Sequence, residues 1–123
     1  MVYIREAHAL DGASPMAPVG DHPAVEEPLT APERRAVAER CDQGLDLSPF
    51  TVLIDDMQNT ASKRYASWPD RLYLVDLEGR LAYVGGPGPR GFSPYELEDA
   101  MREELGLPPI EREQKETPPR RDR

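Results

Sequence analysis

The sequence is poor in cysteine, with Cys41 alone among 123 residues. A single thiol excludes an internal disulfide and any Cys-X-X-Cys pair, and it favours a reducing, cytoplasmic setting. Reactive cysteines usually lie at helix N-termini, where the partial positive charge of the helix stabilises the thiolate. Cys41 lies near the opposite end of a predicted helix, so we expect its side chain to pack in the core.

The sequence also lacks long apolar runs and an excess of basic residues. No run approaches the roughly 20 apolar residues that a membrane-spanning helix needs. Its 15 lysines and arginines stand against 23 acidic residues and give a net charge of -8. That balance leaves no basic groove for phosphates and disfavours an anionic membrane surface. Nucleic-acid and membrane partners are therefore not expected.

Apolar, β-prone runs bounded by Asp, Pro or Gly predict the strands. Most of the core should come from Thr51 to Gly91, since Leu77-Glu78-Gly79 there is short enough for an antiparallel hairpin with Gly79 at positive φ. The predicted strands cover residues 1–4, 51–54, 71–76 and 80–84.

Helix starts and stops predict three helices. Asn59 caps a short helix, Thr60 to Ser67, which ends before Trp68-Pro69 because proline disfavours a helical residue before it. The other two helices open on capping boxes. One box is Thr30 to Glu33, on a helix that runs to Cys41 or Asp42 and that Gly44 ends; the other is Ser93 to Glu96, on a helix that Gly106 closes.

One domain is the expectation for this length. We assign residues 1–107 to it, with a Pro-rich loop at 13–29, and residues 108–123 to a disordered charged tail. The fold class is α/β. The order helix, Pro69, strand, tight turn, strand, glycine corner, helix is that of the closing half of a thioredoxin-like fold, in which such a proline is typically cis.

A set of short motifs, in order, carries a more particular resemblance. The chain opens with Val2 to His8 followed by Asp11-Gly12, and further motifs stand downstream. In this combination the chain resembles the iodothyronine deiodinase family in its bacterial form, from Met1 to about Leu105. The downstream motifs are Asp56-Met57-Gln58-Asn59, Tyr65, Pro69-Asp70-Arg71-Leu72-Tyr73, Gly79-Arg80, Gly85-Gly86 and Gly88-Pro89.

The resemblance implies a thiol or selenol oxidoreductase of thioredoxin-like or peroxiredoxin-like fold. Its reaction would be reductive dehalogenation of a small aromatic substrate or a peroxiredoxin-like reduction of a peroxide. A selenocysteine or cysteine after an earlier strand would attack the halogen, a thiol reductant would be the electron donor, and no other cofactor would be needed. Neither that residue nor its strand is in this sequence.

We therefore expect the central N-terminal strand and first helix of the fold to be missing from this chain. Met1 would fall within a strand, a selenocysteine would lie upstream, and the chain would be inactive as given. The alternatives are a non-catalytic thioredoxin-fold binding or scaffold protein, for which a homodimer covering the open strands would be evidence, and a gene fragment.

Five residues are candidates for the site. Glu6 and His8 are the expected catalytic residues, because they match a carboxylate and an imidazole that line the pocket. Histidine suits proton transfer since its unperturbed pKa lies near 6.5. The expected substrate-binding residues are Pro69, Asn59 and Arg71.

The sequence departs from the family pattern at three places. Arg5 replaces the first glutamate of Glu-Glu-Ala-His and reverses a charge near the pocket. A second histidine has no counterpart, since the aligned residues are Glu27 to Thr30. Pro87 stands where a basic residue is frequent in the glycine corner, so a carboxylate clamp is not evident there.

A metal site and a phosphate-binding loop are not expected. His8, His22, Asp11 and Asp21 match no metal-binding spacing, and a Pro-rich loop is a poor set of ligands. The Gly85 to Pro89 run lacks the lysine and the Gly-Lys-Ser/Thr ending of a phosphate loop.

Overall fold

The computed structural model describes residues 1–17 and 24–112. Within them the strands and helices alternate in the order β1, α1, β2, α2, β3, β4, α3. Their bounds are β1 Val2–Tyr3, α1 Ala31–Leu45, β2 Leu53–Ile54, α2 Thr60–Tyr65, β3 Tyr73–Val75, β4 Leu81–Val84 and α3 Pro94–Glu104.

The first sheet pairs β1 with β2 in parallel, with Val2 opposite Leu53 and Tyr3 opposite Ile54. Parallel neighbours need a crossover connection, and α1 lies in that crossover and packs against β2. The amide of Asp55 donates to the carbonyl of Tyr3 at 2.8 Å, so pairing continues to the end of β2.

The second sheet is the predicted hairpin, in which β3 and β4 are antiparallel with a register shift between Leu74 and Val75. Gly79 has φ of 82°, a left-handed conformation that glycine adopts without steric cost. The carboxylate of Asp76 accepts from the amides of Glu78 and Arg80, which closes the turn. Helix α3 packs against both strands.

The α/β class is confirmed, and every predicted strand and helix overlaps an observed one. Each sheet is small, because only two strands pair in it in the part of the chain that the structure describes. The thioredoxin-like assignment stays a prediction. The Trp68–Pro69 bond is cis, as predicted.

Three predicted helix ends are wrong in detail. Gly44 lies inside α1, which continues to Leu45 and ends with Asp46 in the left-handed conformation. Asn59 precedes α2 but is itself left-handed and makes no side-chain cap. Ser93 caps α3, but Glu96 does not complete the box, because its carboxylate accepts from the Tyr83 hydroxyl at 3.0 Å. A tertiary partner displaced the local one.

The core of the described residues is small. The buried apolar side chains are Ala9, Val25 and Ala38, and none of them lies in Thr51 to Gly91, so the prediction that most of the core comes from that segment is wrong. The bulkiest fully buried side chain is Arg34, on α1. Val2 and Leu53, which face each other in the first sheet, are both exposed. A polar side chain, that of Arg34, thus occupies the centre of the first half of the structure, which runs from β1 to the start of α2.

Two further predictions concern a membrane-spanning helix and the charged tail. Among residues 1–17 and 24–112, no helix has the length and apolarity needed to cross a membrane. Most of the predicted tail, from residue 113 onward, lies outside the described residues. Arg112, within the predicted tail, pairs with Glu98 and Asp99 of α3.

Candidate functional site

Glu6 lies three residues beyond the end of β1 and is held by two contacts. Its Oε1 accepts a hydrogen bond from the Tyr3 hydroxyl, and its amide donates to Oε2 of Glu27 at 3.1 Å. Burial, together with the Glu6 carboxylate, raises the pKa of Tyr3 well above the usual range of a phenol. Tyr3 therefore keeps its proton at neutral pH and donates a hydrogen bond to Glu6.

His8 does not continue the strand, because the chain bends at Ala7 and His8. Glu6 and His8 therefore do not lie on one extended segment, and the two side chains have different partners. Nδ1 of His8 lies 2.9 Å from the carbonyl oxygen of Ser14. Since a carbonyl only accepts, Nδ1 carries the hydrogen and donates it. The side chain is exposed, and in this tautomer Nε2 is the ring nitrogen with a lone pair.

Glu27 and Arg34 connect this segment to the rest of the first half. Arg34 is 2% exposed and lies 3.8 Å from Oε1 of Glu27. Its Nη1 donates to the carbonyls of Asp55 and Asp56 and to Oδ1 of Asn59, at 3.4, 2.5 and 3.0 Å. One buried guanidinium thus fixes the loop that holds Glu6 and the turn that precedes α2.

Asn59 is a structural partner of Arg34 rather than the predicted helix cap. The amides of the first turn of α2 are satisfied instead by Asp55, which accepts from Ala61 and Ser62, each at 2.9 Å. Asp56 accepts from the Thr60 amide at 2.9 Å. The local reason is that the left-handed backbone of Asn59 turns its side chain away from the helix axis and toward Arg34.

Pro69 and Arg71 flank the start of the hairpin. Pro69 is half-buried and follows Trp68 through the cis bond. Arg71 donates from Nε to the Gly85 carbonyl at 2.6 Å and from Nη1 to the Ala66 carbonyl at 3.3 Å. Its guanidinium lies 5.6 Å from the ring centre of Tyr73. Arg71 therefore ties α2 to the hairpin and is partly engaged by backbone.

Cys41 lies in the last third of α1 and is partly buried. Burial raises the pKa of its thiol, and the negative charge of Glu6 raises it further. A raised pKa leaves little thiolate at neutral pH. This environment agrees with the predicted packing role.

A pocket of about 320 Å³ opens where the end of β1, helix α2 and the residue before Pro69 meet. The guanidinium of Arg5 lies over the Trp68 ring, 4.8 Å from its centre. Of the predicted site residues, Asn59 lines this pocket; Glu6 and Pro69 are sequence neighbours of lining residues. The lining residues are Arg5, Asn59, Ser62, Lys63, Ala66 and Trp68.

Several residues of this region were not among the predicted site residues. Arg34 follows a capping box in a run of charged residues, which is typical of an exposed helix face. Lys63 carries no motif, and Trp68 was used only as a helix stop. Asp55 and Asp56 were the detectable signal, since acidic residues just before a helix are favoured cap groups.

Among the described residues, no three His, Cys, Asp or Glu side chains converge as a metal site would require. Asp21 and His22, two members of the metal cluster considered above, lie outside those residues.

Comparisons with known proteins give one family. The iodothyronine deiodinase family model matches residues 1–104. A type I iodothyronine deiodinase of Xenopus laevis is 33% identical over 97 residues, which cover 79% of this chain and 36% of that protein. A thyroxine 5-deiodinase of Sparus aurata is 32% identical over 106 residues, 84% of this chain and 36% of that protein. A thyroxine 5-deiodinase of Ovis aries is 29% identical over 101 residues, 79% and 31% of the two lengths.

The matched part therefore amounts to about a third of these vertebrate relatives. It nevertheless takes in the whole described architecture from β1 to the end of α3, including Glu6, His8, Asn59, Pro69 and Arg71. The resemblance inferred from the motifs is confirmed: the chain belongs to the iodothyronine deiodinase family.

Proposed function

We propose that this chain is a portion of a deiodinase-like oxidoreductase of thioredoxin-like fold, whose nucleophile lies outside these 123 residues. The observation that carries the proposal is the family match over residues 1–104. The substrate would be a small molecule, either a halogenated aromatic compound or a peroxide. A thiol would supply the electrons, and the setting would be cytoplasmic.

With a halogenated substrate, the proposed reaction transfers the halogen to the nucleophile and replaces it on carbon by a proton. A selenolate or thiolate attacks the halogen and forms a bond to it, while the electron pair of the carbon–halogen bond stays on carbon. That carbon takes up one proton. Two equivalents of thiol then reduce the selenenyl or sulfenyl halide, releasing halide, a disulfide and the free nucleophile. The protein must therefore deliver one proton at the carbon.

The residues after β1 suit that delivery. His8 has Nδ1 engaged by the Ser14 carbonyl, so Nε2 is the atom that would exchange a proton with substrate. Glu6 accepts from the Tyr3 hydroxyl, whose raised pKa keeps the proton on the phenol, so this contact would hold the Glu6 carboxylate in place rather than supply the proton. Asn59, Pro69 and Arg71 would shape the substrate side of the site.

The arrangement of the sheets supports the thioredoxin-like part of the proposal. In the described residues β1 pairs with β2, and β3 pairs with β4, in two separate sheets. A thioredoxin-like sheet would place one strand between β1 and β3 and so join them. That strand would carry the nucleophile at its end, next to Glu6 and Pro69.

Cys41 is not the proposed nucleophile, because its pKa is raised and it lies in the second half of a helix packed on β2. A redox role would require a thiolate at neutral pH. The protein as given should therefore show no thiol-dependent turnover, and Cys41→Ser should leave that result unchanged.

The test has two steps. First, the nucleotide sequence in frame upstream of the Met1 codon is read for an apolar strand followed by a cysteine codon or a selenocysteine-type stop codon. Second, the extended protein is assayed for thiol-dependent release of iodide from an iodinated phenol and for peroxide reduction. Turnover in the extended protein that falls at least tenfold in His8→Gln and in Glu6→Gln, but not in the exposed control Glu39→Gln, supports the proposal.

Turnover by residues 1–123 alone that disappears in Cys41→Ser would contradict it. So would an upstream frame that is interrupted or encodes no such strand. A discrete dimer that melts cooperatively and has no activity would instead favour the non-catalytic binding role.

A further inference from the structure

Residues 6–11 form a bend beyond the end of β1, and this bend carries both Glu6 and His8. Strand pairing with β2 reaches only as far as the Tyr3 carbonyl. The sheet therefore does not set the direction of either side chain. Contacts from elsewhere in the chain must hold the bend.

Residues 24–27, the brace segment, supply two of those contacts through carboxylates. Glu27, at the end of the brace segment, accepts from the Glu6 amide through Oε2 at 3.1 Å. Its own amide donates to Oδ1 of Asp11 at 2.8 Å. Each segment thus offers one carboxylate to a backbone amide of the other. Because Glu6 precedes His8 and Asp11 follows it, the two bonds span the bend.

Backbone pairing and burial add to these two contacts. The Leu10 amide donates to the Val25 carbonyl at 2.9 Å. Ala9, in the bend, and Val25, in the brace segment, are both buried. His8 itself is exposed and directs Nδ1 at the Ser14 carbonyl. Its imidazole therefore projects from backbone that is fixed on both sides.

The brace segment is anchored in turn on α1. At one end, Nη2 of Arg40 donates to the Ala24 carbonyl at 3.1 Å. At the other end, Arg34 lies 3.8 Å from Oε1 of Glu27, while Oε2 accepts from the Glu6 amide. The two oxygens of one carboxylate thus have separate partners. A helix sets the orientation of this carboxylate, and helices hold functional groups more precisely than loops do.

We infer that Glu27 and Asp11 are positioning residues, which hold the bend so that Glu6 and His8 keep a fixed place in the site. The role of the bend in catalysis rests on the proposed function, whereas the contacts that hold it do not. Neither residue is proposed to touch substrate. Both matter because a displacement of about 1 Å can lower the rate of a reaction about a hundredfold.

The first test is amide hydrogen exchange, followed by NMR on the 123-residue chain. Glu27→Ala removes the acceptor, so exchange of the Glu6 amide should accelerate at least about tenfold. The Asp55 amide, which donates to the Tyr3 carbonyl, is the internal reference and should stay within about twofold. Glu27→Gln retains a carbonyl acceptor and should restore most of the protection.

The His8 imidazole gives a second, spectroscopic signature. Its ring nitrogens have different chemical shifts with and without a hydrogen, and in the parent Nδ1 carries it. Asp11→Ala should release the bend beyond His8, so the shifts should move toward a mixture of the two tautomers. Asp11→Asn keeps an acceptor and should keep the parental shifts. His22→Gln, as a common background, removes the signals of the other histidine.

The kinetic test uses the extended protein. Glu27→Ala should lower kcat at least about tenfold and Asp11→Ala about threefold, with KM within about twofold, because a displaced group acts on the chemical step. The smaller effect at Asp11 follows from its exposed contact, for which water competes. Glu27→Gln and Asp11→Asn should recover most of the lost rate. Glu26→Ala, the exposed neighbour in the brace segment, is the matched control and should behave as the parent does.

Three results would overturn the inference. They are unchanged exchange at Glu6 in Glu27→Ala, an equal acceleration at Glu6 and Asp55, and His8 ring shifts that stay the same in Asp11→Ala. The second would show that Glu27 supports the fold as a whole rather than the bend. If Glu27→Ala fails to fold, Asp11→Ala and its Asn counterpart still decide.

The outcomes also separate this inference from the proposed function. The expected exchange and ring shifts without turnover in the extended protein would support the brace and remove the enzyme. Turnover that falls in His8→Gln but not in Glu27→Ala or Asp11→Ala would leave the enzyme and remove the positioning role.

Discussion

The two halves of the described structure are stabilised in opposite ways. In the first half, the loop before α1, the end of β2 and the turn before α2 converge on one buried guanidinium, that of Arg34 on α1, with few apolar side chains around it. In the second half, β3, β4 and α3 pack together, and their charged contacts lie at the surface, as in the pairs of Arg80 with Asp76 and Glu78. A buried charge is costly unless every partner is present, whereas a surface pair contributes little.

This difference bears on function, because the proposed site residues are divided unequally between the two halves. The first half carries Glu6, His8 and Asn59, and Arg34 contacts both Asn59 and Glu27, which in turn accepts from the Glu6 amide. The hairpin supplies Pro69 and Arg71 at its start. Sensitivity to substitution should therefore concentrate in the half that holds the proposed proton donor.

The largest effect should come from Arg34→Ala. Removing one member of a buried charged network leaves Glu27 and two backbone carbonyls without their partner, which costs about 3–5 kcal/mol of unfolding free energy. Urea denaturation followed by circular dichroism measures the loss. Arg34→Lys should recover only part of it, because an ammonium cannot reproduce the planar fork.

The matched control for this prediction is the next residue of α1. Arg35 is exposed, so Arg35→Ala should change the unfolding free energy by less than about 0.5 kcal/mol. Similar losses at positions 34 and 35 would show that the contrast between buried hub and surface charge is wrong.

Asp55→Asn should have the next largest effect. The buried carboxylate accepts from the amides of Asp56, Ala61 and Ser62, each at 2.9 Å. An asparagine side chain has one acceptor oxygen and no charge, so about 2 kcal/mol should be lost. Thermal unfolding measures it, and Asp42→Asn on α1, whose side chain accepts no amide from residues 1–17 or 24–112, serves for comparison. An unchanged Tm in Asp55→Asn would remove the proposed capping role.

A smaller difference should separate the two capping glutamates. Glu33 accepts from the amides of Leu29 and Thr30, at 2.8 and 3.0 Å, so Glu33→Ala should cost about 1 kcal/mol. Glu96 accepts from the Tyr83 hydroxyl instead, which water can replace, so Glu96→Ala should cost less. The reverse order in denaturant unfolding would contradict the assignment of a complete box to α1 alone.

The smallest effect is a dependence of stability on acid in the second half. The Arg80 amide and guanidinium lower the pKa of Asp76 below the ordinary 3.8, and the Arg112 guanidinium lowers that of Asp99. A carboxyl with a lowered folded-state pKa contributes stability that is present above 3.8 and lost as the pH falls through the folded value.

The Tm should therefore decline below about pH 4, with a shallower slope in Asp76→Asn and in Asp99→Asn. Glu104→Gln, at the exposed end of α3, is the control. Slopes that are identical in all four proteins would show that these surface contacts contribute nothing to the pH dependence.

Much of the secondary structure followed from local rules. Gly79 predicted the hairpin because a tight turn there needs positive φ, and Thr30 with Glu33 predicted the start of α1 because both hydrogen-bonding groups lie within one helical turn. Rules of this kind failed where a distant group competed. Asn59 turned toward Arg34, and Glu96 turned toward Tyr83.

The sequence by itself determined the family and the α/β class, since motif order and short-range backbone preferences are properties of neighbouring residues. The tertiary structure alone decided that Arg34 is buried, that Glu27 holds the Glu6 amide and that the Arg5 guanidinium lies over the Trp68 ring. These contacts join residues 7 to 63 positions apart, at distances that no local pattern encodes. They depend on which charged side chains find partners when the chain closes, and that is a property of the packed molecule.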